Sequence, residues 1–196
     1  MINNEQNAIF ERKWQLLMEK IYNSPLRCKR KRAIKLGSSD YYFTRFSHNK
    51  DILQCYYVEE YIDPWNPLKS LDNDVFKNFE VFTFVSLTKL EIYDYCINGW
   101  NKTSDLKGII HRSKEIRERI DYLEFLDEGN DDEEYYFDET RQFPTYEDYC
   151  NFSENEIKYL NEELEKNQKE IEKLNLERKF VQILIKYFKL GGKNEK

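Results

Sequence analysis

Apolar residues at Phe10, Trp14, Leu17 and Ile21 recur at alternating spacings of four and three, which predicts a helix over about 4–22 with one buried stripe. Ser24 and Pro25 stop it, and the same pair suits the start of a second, short helix that contains "RCKRKRAIK" and ends at Gly37. From Asp40 the pattern changes. "DYYFTRF" and "ILQCYYVEEYI" are rich in aromatic and β-branched residues and are separated by the polar "SHNKD", which reads as a β-hairpin over about 40–62. "DPWNP" breaks the chain, and Asn66 with Pro67 opens a short helix over Leu68, Leu71 and Val75. "FEVFTFVSL", over about 79–87, then reads as a third strand with apolar residues on both faces, although a helix fits so short an apolar run as well.

The remaining pattern is helical. Thr88 and Glu91 fit a capping box, and Leu90, Tyr93, Ile97 and Trp100 make a stripe, so a helix is expected over 89–98 with its end near Gly99. Leu106, Ile109, Ser113, Ile116, Ile120 and Leu123 alternate three and four apart, the period of a bundle seam, over about 105–126. For the last helix, Ser153 and Glu156 form a second capping box, with Phe152 and Ile157 placed as a hydrophobic staple. Its heptad seam comprises Ile157, Leu160, Leu164, Asn167, Ile171, Leu174, Arg178, Val181, Ile185 and Phe188, and Gly191 and Gly192 end it. Such a helix is about 55 Å long and needs a partner. Either the helix at 105–126 folds back on it, or a second copy of the chain pairs with it as a homodimer. On the seam, Asn167 and Arg178 either set register or face solvent as a straight helix drifts off the heptad.

These elements predict an α+β fold, predominantly helical. A small antiparallel β element (about 40–62 and 79–87) packs on helices within a domain of residues 1–104. A helical hairpin or coiled-coil arm follows at 105–190, with an acidic connecting segment at 127–152 and a flexible tail at 191–196. Composition agrees. Gly (6) and Pro (4) are too scarce for a many-stranded sandwich, and a 16% aromatic share is too high for a disordered chain.

Charge changes the picture more. The formal net charge is -6, but it is unevenly spread. Residues 1–62 hold eleven cations against seven acids, whereas 126–150 hold ten acids against one cation. The imbalance therefore sits in one segment, "DEGNDDEEYYFDE", Asp127–Glu139. Within it Asp127, Glu128, Asp131, Asp132, Glu133, Glu134, Asp138 and Glu139 surround the aromatics Tyr135, Tyr136 and Phe137. Acids steer a basic partner and aromatics anchor it, so this segment is the first candidate binding site; a plain solvated loop is the bland reading. The opposite patch is Arg27, Lys29, Arg30, Lys31, Arg32 and Lys35, expected on a helix. It suits nucleic acid or an acidic protein surface, including the chain's own acidic segment, although no aromatics interleave to stack bases.

Candidate chemistry is sparse. The phosphate-loop, dinucleotide, zinc-protease and serine-hydrolase motifs are missing, so no catalytic residue, metal ligand or cofactor is assigned. His48 and His111 fall in different elements, and Cys28, Cys55, Cys96 and Cys150 are far apart, as reduced structural thiols would be. Asp72, Asp74, Glu80 and Lys89 cluster around the third strand and would suit a metal-dependent nuclease, but charged residues make up 35% of the chain and group by chance. No apolar run is long enough to span a bilayer and no signal peptide is evident, so a cytoplasmic location without membrane contact is expected. The functional expectation is a non-enzymatic protein-protein interaction protein. It would act as an inhibitor or regulator that engages a basic partner surface, such as that of a nuclease or another nucleic-acid-binding protein, through the acidic-aromatic segment. Nucleic-acid binding through 27–35 is the alternative, and a metal-dependent nuclease the second alternative.

Overall fold

The computed structural model describes residues 4–28, 31–37, 41–45, 50–60, 79–127, 143 and 146–189. The acidic residues 128–139, the turn containing His48, the helix expected over 68–75 and Gly191–Gly192 lie outside them. The described elements are α1 (Asn4–Asn23), β1 (Arg27–Cys28), β2 (Lys31–Lys35), β3 (Tyr41–Arg45), β4 (Ile52–Glu60), β5 (Phe79–Thr88), α2 (Lys89–Asn98), α3 (Thr103–Asp127) and α4 (Tyr146–Phe188). The strands form a five-stranded antiparallel sheet in sequential order, a meander followed by helices. Two compact units divide the chain. The first holds residues 1–101 with 173–196, and the second holds 102–172.

The core of the first unit follows from alternation. On β3 and β4, Phe43, Leu53 and Cys55 point to one face and join Val85 and Leu87 of β5. The four residues of the α1 stripe, Phe10, Trp14, Leu17 and Ile21, cover that face. Leu176, Phe180, Val181, Leu184 and Phe188 of α4 complete the cluster. Phe188 lies 4.7 Å from the Phe10 ring and stacks on Trp14 at 6.3 Å, while Phe180 meets Phe43 edge-on at 5.5 Å. Lys13 donates to the Phe188 carbonyl, placing a cation on the negative end of the α4 dipole. On the opposite sheet face Cys28, Ala33, Tyr42 and Tyr56 form a smaller cluster.

The second unit is an antiparallel helical hairpin. Arg112 pairs with Glu163 at 2.5 Å and Arg119 with Glu156 at 3.1 Å, one heptad apart on each helix and in opposite order. The expected α3 stripe is the buried one, with Leu106, Ser113, Ile116, Ile120 and Leu123 buried and Ile109 half-buried.

Three local expectations are corrected. The described residues of 25–36 do not form a helix. They form β1 and β2, because Ala33, Ile34 and Lys35 pair with Thr44, Phe43 and Tyr42 of β3. Long cations are at home on the margin of a sheet, where they keep the edge soluble, and that tertiary pairing overrides their modest helix preference. The α2 stripe is also rotated. Leu90 is 80% exposed and Ile97 43%, while Ile92 and Tyr95 are buried. Apolar residues surround this helix, so its rotation is set by the Thr88 capping box, which forms as expected, directly after β5. Finally, α4 starts at Tyr146 rather than after Ser153. Ser153 is fully buried inside the helix and Glu156 serves Arg119, because burying Tyr149 extends the helix N-terminally past the capping signal.

Candidate functional site

The acidic-aromatic candidate is bounded by two anchored helix ends. Leu123 in the last turns of α3 and Tyr149 in the first turn of α4 are both at most 1% exposed. Phe143 adds ring contacts to Tyr149 at 5.7 Å and to Phe152 at 4.9 Å. The two interhelical ion pairs fix the helices antiparallel, so the C-terminus of α3 and the N-terminus of α4 lie at the same end of the hairpin. Asp127 is the last residue of α3; Glu128 and Asp131–Glu139 lie outside the described residues.

The basic run sits on strands, and its described members are engaged within the protein. Lys31 donates to Gln54 Oε1 at 2.5 Å, the same oxygen that accepts from the Tyr56 hydroxyl at 3.2 Å. Arg32 donates to the Tyr22 carbonyl and its guanidinium stands 5.3 Å from the Tyr22 ring. Lys35 lies 4.9 Å from the Tyr42 ring. Arg27 has a partner as well. Lys29 and Arg30 lie outside the described residues. Each side chain already held by a neighbour offers less to a phosphate, because that contact must be given up first.

The oligomerisation seam divides. Ile157, Leu160, Leu164 and Ile171 are half-buried, Asn167 and Leu174 are buried, and Arg178 is exposed with its guanidinium 5.7 Å from the Trp100 ring. Val181 and Phe188 are at most 1% exposed within the core of the first unit, with Ile185 half-buried beside them. Those positions cannot meet a second copy without unpacking that core. A heptad pattern does not say whether its apolar positions face a helix or a sheet, and here the last turns face a sheet and α1.

Of the four residues weighed for metal-dependent chemistry, Lys89 alone has a described side chain. Lys89 pairs with Glu11 at 2.7 Å, His111 is exposed beside Glu115 at 3.5 Å, and no group of three or more metal-ligating side chains occurs among the described residues. Asp72 and Asp74 lie outside them. The four cysteines are free. Burial holds the Cys55 thiol well above its ordinary value, aided by the Glu177 carboxylate. Burial likewise pushes Cys96 up to about 12, against a smaller opposing pull from Lys13. A raised thiol pKa leaves the nucleophilic thiolate scarce near neutrality. In the native protein at pH 8, Cys55 and Cys96 should therefore react with iodoacetamide at least about tenfold more slowly than in the urea-unfolded chain. Peptide mapping by mass spectrometry reads this directly, and equal rates would show that these thiols are not buried.

A feature the sequence reading missed is a groove of about 530 Å³ in the first unit, between the end of β2 and the last turns of α4. Leu36, Tyr41, Ile183 and Tyr187 line it, and Lys179 and Lys186 stand on its rim. Gly37, at φ 80°, takes the left-handed conformation there and lies against Ile183, where an added Cβ would sit 3.5 Å from that side chain. The only sequence signals were two lysines seven apart and a glycine already read as a helix stop. No protein-family model matches the chain, and no curated protein or solved structure matches it significantly.

Proposed function

We propose that the protein acts by binding rather than by catalysis, with the segment Asp127–Glu139 engaging a basic surface on a partner such as a nuclease or another nucleic-acid-binding protein. The observation that carries this reading is the pinned hairpin. Arg112–Glu163 and Arg119–Glu156 bring together the two helix ends that flank a stretch with eight carboxylates and three adjacent aromatics. Ends that are already held near each other lower the entropy cost of closing the segment between them against a partner. Carboxylates then supply long-range attraction, and Tyr135, Tyr136 and Phe137 supply contact area at low entropic cost. The engaged state of Lys31, Arg32 and Lys35 weighs against nucleic-acid contact through the 27–35 run. No helix among the described residues is long and apolar enough to cross a membrane.

The test compares the wild-type chain with a chain carrying Asp131→Asn, Asp132→Asn, Glu133→Gln and Glu134→Gln. Both are used as bait in a native-host extract, and captured proteins are identified by mass spectrometry. Basic proteins enriched by the wild type should fall at least about tenfold with the neutralised bait at low salt, and the difference should shrink as salt is raised. Identical capture by the two baits would end the reading.

A further inference from the structure

We propose that the groove between β2 and α4 is a docking site for a short acidic peptide segment of a partner protein, one that carries a bulky apolar side chain. Its charge is opposite to that of the segment Asp127–Glu139.

Three observations carry the assignment. The first is charge. Lys179 and Lys186 are exposed on the rim, and neither makes an ion pair or hydrogen bond among the described residues. A third cation, Lys20, stands 5.4 Å from the Tyr187 ring. No acid occurs among the described residues that line it. The two rim lysines are one heptad apart on one helix, about 10 Å along its axis, so one extended peptide of a few residues can offer a carboxylate to each. The second is the floor. Leu36 and Ile183 are half-buried aliphatic side chains, and the absent side chain of Gly37 leaves Ile183 uncovered on that side. An apolar floor with a small number of polar groups at its margin is the usual build of a pocket that holds one anchoring side chain.

The third observation distinguishes a peptide from single-stranded nucleic acid, which the same lysines would also attract. Base binding needs free aromatic faces on which to stack. Here both rings are engaged. Tyr41 packs against Tyr57 at 5.3 Å and meets Phe180 edge-on at 5.3 Å, while Tyr187 is capped by Lys20 and set edge-on to Phe188 at 5.2 Å. What the groove leaves open is aliphatic surface and cationic charge.

The chain's own stretch "DEGNDDEEYYFDE" has the required composition and makes a convenient synthetic probe. Fluorescence anisotropy would measure binding of that labelled peptide, of its equally charged counterpart DEGNDDEESSSDE, and of a short labelled oligothymidylate. The proteins would be the full wild-type chain and the chain neutralised at Asp131, Asp132, Glu133 and Glu134. The aromatic peptide should bind at least one of the two chains about tenfold or more tightly than the serine peptide. The substitutions Lys179→Glu and Lys186→Glu together should weaken it by about tenfold or more, with an unchanged circular dichroism spectrum because both lysines are exposed. Binding of the aromatic peptide to neither chain would overturn the proposal. So would equal affinity for the serine peptide, insensitivity to the lysine substitutions, or tighter binding of the oligonucleotide. Partner capture is read by neutralising the acidic segment and peptide binding by reversing Lys179 and Lys186, so the two proposals fail on different variants.

Discussion

Replacing Phe180 by alanine is expected to destabilise the first unit by about 3–5 kcal/mol, the cost of emptying a large site in a close-packed core. Phe180 is fully buried, and its ring is held edge-on by Tyr41 at 5.3 Å and Phe43 at 5.5 Å. Both partners come from β3, so the phenyl ring is what ties this turn of α4 to the sheet. Phe180→Leu restores part of the volume and should cost only about 1–2 kcal/mol. Urea denaturation followed by the fluorescence of Trp14 and Trp100, both in this unit, would report the change as a lower midpoint at similar slope. Arg178→Ala, two residues away but exposed, is the control and should stay within about 1 kcal/mol. A Phe180→Ala loss as small as that of the control would mean that the end of α4 does not pack on the sheet.

The second large effect is expected at Glu177, a carboxylate only 4% exposed. One of its oxygens accepts from the Tyr95 hydroxyl at 3.0 Å and from Trp100 Nε1 at 3.3 Å, so it ties α4 to α2 and to the turn that follows it. Glu177→Leu would leave both donors without that acceptor, and unmade buried hydrogen bonds to a charged group cost about 2–5 kcal/mol together. Glu177→Gln keeps an oxygen in place and should cost about 1 kcal/mol. Removing the orphaned hydroxyl as well, in a Glu177→Leu and Tyr95→Phe double variant, should recover part of the loss and give a coupling energy of about 1 kcal/mol. Thermal melts of the wild type, both Glu177 variants, Tyr95→Phe and the double variant measure this. Strict additivity, or a Leu variant as stable as the wild type, would show that the carboxylate does not bridge these elements.

Much of the local structure was legible in the residue pattern, and the particular cases show why. The α1 stripe is correct to the residue, because four large apolar side chains on one face of a helix can be buried in only one way. The β3–β4 pair and β5 were readable from aromatic and β-branched runs, and α3 from its unbroken three-four period. Residues 25–36 were misread because Lys and Arg report little about backbone state. What decides that stretch is hydrogen bonding to β3, a partner several residues further along the chain. The α4 start was misread for a related reason. Ser153 and Glu156 satisfy a capping rule locally, but the buried Tyr149 rewards continuing the helix upstream. The acidic candidate was fully visible as a charge anomaly, and the groove was not visible at all. Its lysines belong to a highly charged helix, and its floor joins Leu36 to Ile183 across nearly 150 residues of sequence.

The sequence by itself determined the helix and strand periods, the alternation that separates the two faces of the sheet, and the concentration of negative charge in one connecting segment. Those are properties of neighbours within a few residues, where backbone geometry alone ties position to face. Only the tertiary structure decided that the last turns of α4 complete the core of the sheet unit, that Glu177 is a buried acceptor for Tyr95 and Trp100, and that Lys179 and Lys186 overlook an apolar floor. A heptad marks which side of a helix is apolar but carries no information about what lies opposite. That choice is made by the free energy of packing distant segments together, which no local window contains.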